Sequence, residues 1–479
     1  MKNPYHVYPR NLEAEMTTYL TSFIISFIFV CFATPILIKI GLKFGFVDQV
    51  NQRKIHRGAI PRIGGIGISL GTLLPIFLLC FFFQKGIILN TTNNIVLYFV
   101  GGLAISLLGL FDDINGINAK IKLLFQTAIA FLATQYGALV ETLPMPWGRL
   151  ELGVFSYVVT IFWIIAIINA FNLIDGMDGL SSGITLFSSL TIAILAIVNG
   201  YLPTALVALA LAGAVTGFLI YNFNPARIFM GDSGSMFIGY LLAVLSLRSQ
   251  SKAHAVVSIM VPIIAMGLPI LDTTLAFARR IMRHQSIFTA DKQHIHHFIL
   301  SLGFNQRKTV LILYSISILF TILAMVMIFN KNIDTFLIVL VFAIIIFVII
   351  TKLGYVEMIY GRFRVKKENS LEKHLENFFI DKISLAENDD IFSGLPIKGF
   401  DILDIKGNNL FSQGEKDKIN FFDISARRSR IVRLYWNENV PIIGARESAM
   451  LILMSKTLVA KFAPISDEDE KKLLSDIKE

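Results

Sequence analysis

The feature that most constrains this chain is its succession of long apolar runs. A bilayer core of about 30 Å is crossed by about 20 apolar residues in helical form. Runs of that order recur near 17–40, 66–84, 95–111, 121–139, 154–171, 184–199, 203–221, 235–248, 255–275, 309–328 and 334–352. Inside a bilayer the backbone must satisfy its own hydrogen bonds, and segments this long do so as helices, not as barrel strands. The expected fold is an all-α polytopic membrane protein of about 11 transmembrane helices. The run at 235–248 is the shortest of the set.

Composition agrees with this. Of 479 residues, 54% are hydrophobic and only 16% charged, whereas soluble domains carry roughly a quarter of their residues as Asp, Glu, Lys or Arg. A soluble enzyme, a secreted scaffold and a disordered chain are excluded as descriptions of the whole. Both cysteines, Cys31 and Cys80, lie in apolar runs, so no disulfide framework is implied. The net charge of +9 fits basic loops kept on the cytoplasmic side of a bilayer. No stripe of Lys or Arg interleaves with aromatics, so nucleic acid is not an expected partner. Residues 1–16 are polar and no small-residue cleavage site follows the first run, which therefore reads as a retained span.

Loop charge sets the orientation. The loop at 41–65 holds Lys43, Arg53, Lys54, Arg57 and Arg62, and that at 276–308 holds Arg279, Arg280, Arg283, Lys292, Arg307 and Lys308. They lie an even number of spans apart, share a side, and make that side cytoplasmic. The loops on the opposite side carry little, Lys85, Arg149 and Lys331, with Arg248 and Lys252 the mild dissent. With eleven spans the N-terminal segment 1–16 is outside, 17–352 is the membrane domain and 353–479 is cytosolic. In that last region charge rises, and GFDILDI, KINFFDI and RIVRLYW read as strands of an α/β or α+β extension that ends in a polar helix, DEDEKKLLSDIKE. It contains no catalytic motif.

The aspartates fall unevenly. Between residues 17 and 352 they are Asp48, Asp112, Asp113, Asp175, Asp178, Asp232, Asp272, Asp291 and Asp334, and under this topology all except Asp334 lie at the cytoplasmic face. A carboxylate at mid-bilayer costs about 2.5–3.5 kcal/mol, so confinement to interfaces is expected. Confinement to one interface, already made basic, points to an anionic substrate held through a divalent metal.

Five cytoplasmic loops then carry the chemistry. VDQVNQRKIHRGAIPRIGGIGI (Val47–Ile68) joins an acid, a basic run and a Gly pair just before a helix, where backbone N–H groups can approach phosphate; it reads equally as a positive-inside loop with a helix-starting turn. GLFDDINGINAKIKLLFQ sets Asp112 beside Asp113, a repelling pair that wants a cation, with Lys120 and Lys122 to follow; a solvated turn is the plainer reading. NAFNLIDGMDGLSSG spaces Asn172, Asp175 and Asp178 three apart at the end of an apolar span, poor material for a core. YNFNPARIFMGDSGSMFIG puts Asp232 at the start of the next span, as metal ligand or as helix cap, and Phe229 three residues earlier can stack on a base. FTADKQHIHHFILSLG holds His294, His296 and His297; without cysteine partners these suit phosphate contacts better than zinc.

Taken together, the five loops resemble those of the polyprenyl-phosphate N-acetylhexosamine-1-phosphate transferases (glycosyltransferase family 4), in family order over about residues 17–350. VDQVNQRKIHRGAIPRIGG and HIHH are similar to the bacterial undecaprenyl-phosphate GlcNAc-1-phosphate branch; the phospho-MurNAc-pentapeptide translocases carry three consecutive histidines, a run that Ile295 interrupts here. The extension after residue 353 departs from the compact family pattern. The resemblance implies transfer of an N-acetylhexosamine-1-phosphate from its UDP-sugar to undecaprenyl phosphate with release of UMP. That would initiate a lipid-linked envelope glycan such as an O-antigen or teichoic acid. It implies Mg²⁺, with Mn²⁺ as a substitute, held by Asn172 and Asp232 with Asp175 nearby. Asp112 becomes the candidate base, and Asp113 supports it or the metal. Asp178 and Phe229 would meet the uracil, Lys120 phosphate, and His296 and His297 the sugar diphosphate. Asp48, Arg53, Lys54, His56 and His294 complete the substrate-binding set. A homodimer and a cytosolic partner for residues 353–479 are compatible with the pattern. The rivals are a translocase of the MurNAc-pentapeptide type, a secondary transporter and a passive anchor; a transporter would gather its ionisable groups near the midplane, not at one face.

Overall fold

The computed structural model of the protein describes residues 12–48, 59–82, 92–145, 148–249, 255–282, 294–329, 397–403, 409–414, 420–426 and 430–436. The chain divides into two compact units, residues 1–349 and 350–479. In the first, α1 (Leu12–Phe44) leads to the short antiparallel pair β1 (Val47–Asp48) and β2 (Ile60–Pro61), then α2 (Gly64–Phe82) and α3 (Thr92–Asn94). A π-helical turn (Ile95–Val100) runs into α4 (Gly101–Asn115), followed by α5 (Ala119–Gln135) and the hairpin of β3 (Thr142–Met145) and β4 (Gly148–Glu151). Then come α6 (Phe155–Ile174), α7 (Leu180–Asn199), α8 (Leu202–Asn222), α9 (Gly231–Arg248), α10 (Ala255–Ala265), α11 (Gly267–Met282), α12 (Ile295–Ser301) and α13 (Gln306–Phe329). In the second unit β5 (Ile397–Leu403), β6 (Asn409–Gly414), β7 (Asn420–Ala426) and β8 (Arg430–Trp436) form an antiparallel sheet in the order β6-β5-β8-β7.

Helix falls on each expected apolar run up to residue 328; the run at 334–352 and the C-terminal polar helix lie outside the described residues. Among the described residues six helices are long and apolar enough to cross a membrane, or seven if the bent pair α10–α11 is one span. The chain is a multi-pass membrane protein. The run at 255–275 is not one straight helix: α10 and α11 meet at 76°. Pro269, near the start of α11, has no N–H to bond back to Ala265 and crowds that carbonyl, so the helix breaks there.

Polarity in this bundle runs inside out. Along α1, Leu20, Ile24, Ile28, Phe32 and Ile36 recur every fourth residue and are exposed, while Ser22, Ser26, Val30 and Thr34 on the opposite stripe are buried. Lipid competes for apolar side chains as well as protein does, so helices associate through small residues that let backbones approach. Gly213 and Gly217 of α8 show this: a Cβ at Gly213 would overlap the Phe23 carbonyl, and one at Gly217 would lie 2.7 Å from that of Phe27.

The shortest apolar run became the most enclosed helix. In α9, Gly231 and every residue from Ser233 to Leu247 are buried, packed by α2, α4 and α6, with α7 and α8 also touching. A helix walled by protein has no lipid to face, so it can carry Ser233, Ser235, Gly239 and Ser246 and still sit in the middle. Its first turn is where the remaining loops converge.

Candidate active site

Asp232 stands in the first turn of α9, and its surroundings are built by three other segments. Gly64 and Gly65, opening α2, donate their N–H groups to the carbonyls of Phe229 and Met230 at 3.0 and 2.8 Å, and Phe229 donates back to Pro61 at 2.8 Å. The first and fourth loops are thus laced together by backbone. A Cβ on Gly65 would overlap Gly234, and one on Gly109 of α4 would lie 2.5 Å from Ser233 and overlap the Asp232 carbonyl. Gly231 itself sits at φ +67°, a conformation that favours glycine. From α4, Asp113 reaches across and accepts from the N–H groups of Asp232 (2.9 Å) and Ser233 (3.0 Å). Its side chain is 2% exposed, and the Arg62 guanidinium lies 3.7 Å away. A helix start leaves its first N–H groups unsatisfied and partly positive, and a carboxylate satisfies both demands. Asp113 caps α9 from another helix.

The neighbouring Asp112 points elsewhere. One oxygen accepts from the Ile117 N–H that closes the turn after α4, at 2.5 Å; the other accepts from Lys122 Nζ at 2.6 Å. The same ammonium is paired with Asp232. The other oxygen of Asp232 accepts from Asn172 Nδ2 at 3.0 Å, and that amide also donates to Ser235 Oγ at 2.9 Å. Asp112 lies near the end of α4, Asn172 near the end of α6 and Asp232 at the start of α9, so contact between them puts all three at one end of the bundle. Asp175 follows the last residue of α6. Burial, then the carboxylates of Asp232 and Asp113, push its carboxyl well above the usual range. Such a concentration of carboxylates calls for a cation.

The third and fourth loops are tied by amides. Asn222 accepts from Gly179 N–H (3.1 Å) and Ser182 Oγ (2.9 Å) and donates to the Ile228 carbonyl (2.9 Å). Asp178 is buried and accepts from Asn224 Nδ2 and the Ala226 N–H, both at 3.0 Å. From α13, Tyr314 donates to the Gly179 carbonyl at 2.6 Å. The histidine segment closes the ring. A Cβ on Gly176 would lie 3.1 Å from His296 Nε2, so that imidazole rests on the loop that carries Asp175. Its pKa is lowered to about 3, first by burial and then by His297 and His294 beside it. His296 is therefore neutral at physiological pH, an N–H donor and a lone pair instead of a cation.

Of the residues singled out by sequence, Asp112, Asp113, Asn172 and Asp232 meet directly, Asp175 stands within their field, and Asp178, Phe229 and His296 line the adjoining loops. Lys120 does not join them: it is exposed in the first turn of α5, where Asn118 accepts from its N–H. Two residues on, across the helix, Lys122 does. His297 is exposed, and the His294 ring is held by Asp272. The backbone of Asp48 pairs with Ile60, while Arg53, Lys54 and His56 lie outside the described residues. Sequence reasoning missed the parts played by Lys122, Asn222 and Asp272. Only Lys122 left a signal, since two lysines two apart cannot face one helix neighbour.

Among the described residues no three His, Cys, Asp or Glu side chains converge to hold a metal by themselves. What converges is two carboxylates on one ammonium, with an amide bonded to the second of them. The carboxylates and the amide carry hard oxygen atoms, and Mg²⁺ characteristically takes one or two carboxylates and completes its shell with substrate phosphates and water. The donor set fits Mg²⁺ or Mn²⁺ in that role.

The family model described as glycosyl transferase family 4 matches residues 95–250, a span that runs from the π-helical turn to the end of α9. Over 318 residues the chain is 39% identical to the probable undecaprenyl-phosphate N-acetylglucosaminyl 1-phosphate transferase of Bacillus subtilis (strain 168), covering 66% of this chain and 87% of that protein. It is 34% identical over 320 residues to the decaprenyl-phosphate N-acetylglucosaminephosphotransferase of Mycobacterium tuberculosis (strain CDC 1551 / Oshkosh), covering 62% and 78%. It is 32% identical over 306 residues to the undecaprenyl-phosphate alpha-N-acetylglucosaminyl 1-phosphate transferase of Escherichia coli (strain K12), covering 62% and 80%.

Proposed function

Because the chain belongs to glycosyl transferase family 4, we propose that it transfers GlcNAc-1-phosphate from UDP-GlcNAc to a polyprenyl phosphate, undecaprenyl phosphate in particular, and releases UMP. The observation that carries this reading is the meeting of Asp112, Asn172, Lys122 and Asp232 at the capped start of α9. The names of the relatives supply the donor sugar and the lipid class. In the same proposal the eleven-span topology places the N-terminus outside, the five loops and residues 353–479 in the cytosol, and the protein in the cell membrane. The basic residues of the first and fifth loops support that orientation. A soluble donor then arrives from the cytosol and the lipid from the side.

The acceptor phosphate is already a nucleophile, so the work is to bring two anions together and hold them. Mg²⁺, when bound, neutralises diphosphate oxygens and stabilises the leaving UMP; Asp232 and Asn172 would hold it, with Asp175 adjacent. Lys122 moves its charge from the carboxylates to a phosphate oxygen when the donor binds. Asp178 and Phe229 recognise the uracil, and His296 gives a neutral hydrogen bond to the sugar diphosphate. Asp112 takes the last acceptor proton, a small contribution at neutral pH because a phosphate monoester has its second pKa near 6. Holding both reactants in register supplies up to about 7–11 kcal/mol. The test is UMP release by purified protein with Mg²⁺ and UDP-GlcNAc. Release only when polyprenyl phosphate is present supports the reading; release without lipid makes the protein a hydrolase.

A further inference from the structure

We propose that Asp272 is a positioning residue of this site, acting through His294 to hold His296 in the orientation the donor meets. The inference rests on the transferase reading above. Asp272 lies on α11, is 2% exposed, and commits both oxygens to the histidine segment. One is 2.8 Å from His294 Nδ1; the other accepts the Ile295 N–H, also at 2.8 Å. A carboxylate can only accept, so Nδ1 of His294 carries the hydrogen and the ring can neither rotate nor exchange tautomer without losing that bond. The His294 ring lies parallel to that of His296, 4° between planes and 5.6 Å between centroids. His296 is itself 2% exposed, and its Nδ1 has no hydrogen-bond partner among the described residues. Its other edge faces Gly176, beside Asp175. An imidazole so enclosed is set not by bonds of its own but by the rings against it: His297, tilted by 44° with centroids 4.4 Å apart, and the parallel His294. Asp272 fixes the second of these, from a helix that reaches this end of the bundle only after a 76° bend.

The Asp272→Asn variant tests this in the full-length protein in detergent. The amide offers one acceptor and one donor group; with its oxygen kept on Ile295, its NH₂ faces Nδ1, which must then accept, and the His294 proton moves to Nε2. The expected result is a kcat lowered about 10- to 100-fold, the range seen when groups that orient ligand histidines are removed. The KM for UDP-GlcNAc stays near wild type, and the ¹⁵N shifts of His294 exchange tautomer. His294→Phe keeps the stack and loses the bond, so it lowers kcat alike and adds nothing to Asp272→Asn. In a His296→Asn background Asp272→Asn costs nothing further. Unchanged kcat, an equal loss in the His296→Asn background, or an unmoved His294 tautomer overturns the proposal. If Asp272→Asn does not fold, His294→Phe with and without His296→Asn decides it. Wild-type protein that releases no UMP would remove the transferase reading, while the tautomer shift would still report on the Asp272–His294 link.

Discussion

Two halves of the site face each other across the third loop, and they are organised on different terms. At the start of α9, Asp112, Asp232 and Lys122 satisfy one another with full charges, and Asn172 trims the remainder. At the start of α12, Asp272 spends its charge on one ring and one backbone N–H, and the imidazole that reaches the third loop is neutral and buried. On the proposed reading, the acidic half is a set of counter-ions that a charged donor and its metal would take over. The histidine half is a fixed surface with nothing to exchange. A site that must admit one highly charged molecule and expel another needs both: partners that change, and a wall that does not.

That contrast can be broken at several points. The largest effect is expected from Asp232→Ala, which removes the carboxylate both Lys122 and Asn172 hold; UMP release should fall about 100- to 1,000-fold, and near-normal turnover would take Asp232 out of the proposed metal site. Next is Lys122→Met. Leaving two partly buried carboxylates without their cation should lower stability by about 3 kcal/mol, read as a fall in thermal midpoint that Mg²⁺ reverses more strongly than in wild type. Absence of that Mg²⁺ response would separate the carboxylate pair from metal binding. Changes with pH should have opposite signs in the two halves when measured without divalent metal. Asp175 has a folded pKa raised above its unfolded value, so its contribution to stability is lost as pH rises above about 4. His296 has a folded pKa near 3, so below about 6.5 the unfolded chain gains a proton that the folded one does not, and stability falls by about 1.4 kcal/mol per pH unit. Asp175→Asn should flatten the first slope and His296→Asn the second; a single slope unaffected by either would mean other groups govern. The smallest effect is expected at Lys120, exposed in α5, where Lys120→Ala should shift stability within about 0.5 kcal/mol.

How much of this could be read beforehand depended on which neighbour a residue has. The apolar stripe of α1 faces lipid, and lipid is a uniform partner, so its hydropathy alone located it. The Asp-rich loops were legible for the opposite reason: carboxylates at one membrane face need a cation whatever their detailed geometry. The reading thinned where the partner is another helix. The run at 235–248 looked poor because α9 is enclosed by protein and needs no lipid-facing apolar surface. Nothing local to Asp113 says that it caps a helix more than a hundred residues away, and nothing near Asp272 announces His294. Strand β6, with Asn409, Ser412 and Gln413 among its six residues, has too little alternation to declare itself, though its neighbours did. The choice between Lys120 and Lys122 required the phase of α5, which is fixed by Asn118 at its start.

The crossing of α4 and α9 through Gly109 has a practical corollary. A methyl group at that position would collide with the backbone of Asp232 and Ser233, and a shift of about 1 Å in a reactive group can cost on the order of 100-fold. Saturation mutagenesis scored on turnover alone would rank Gly109 with the acids, although it supplies clearance and no chemistry. Sorting such hits requires a second axis, abundance or ligand affinity, before any are assigned to the reaction.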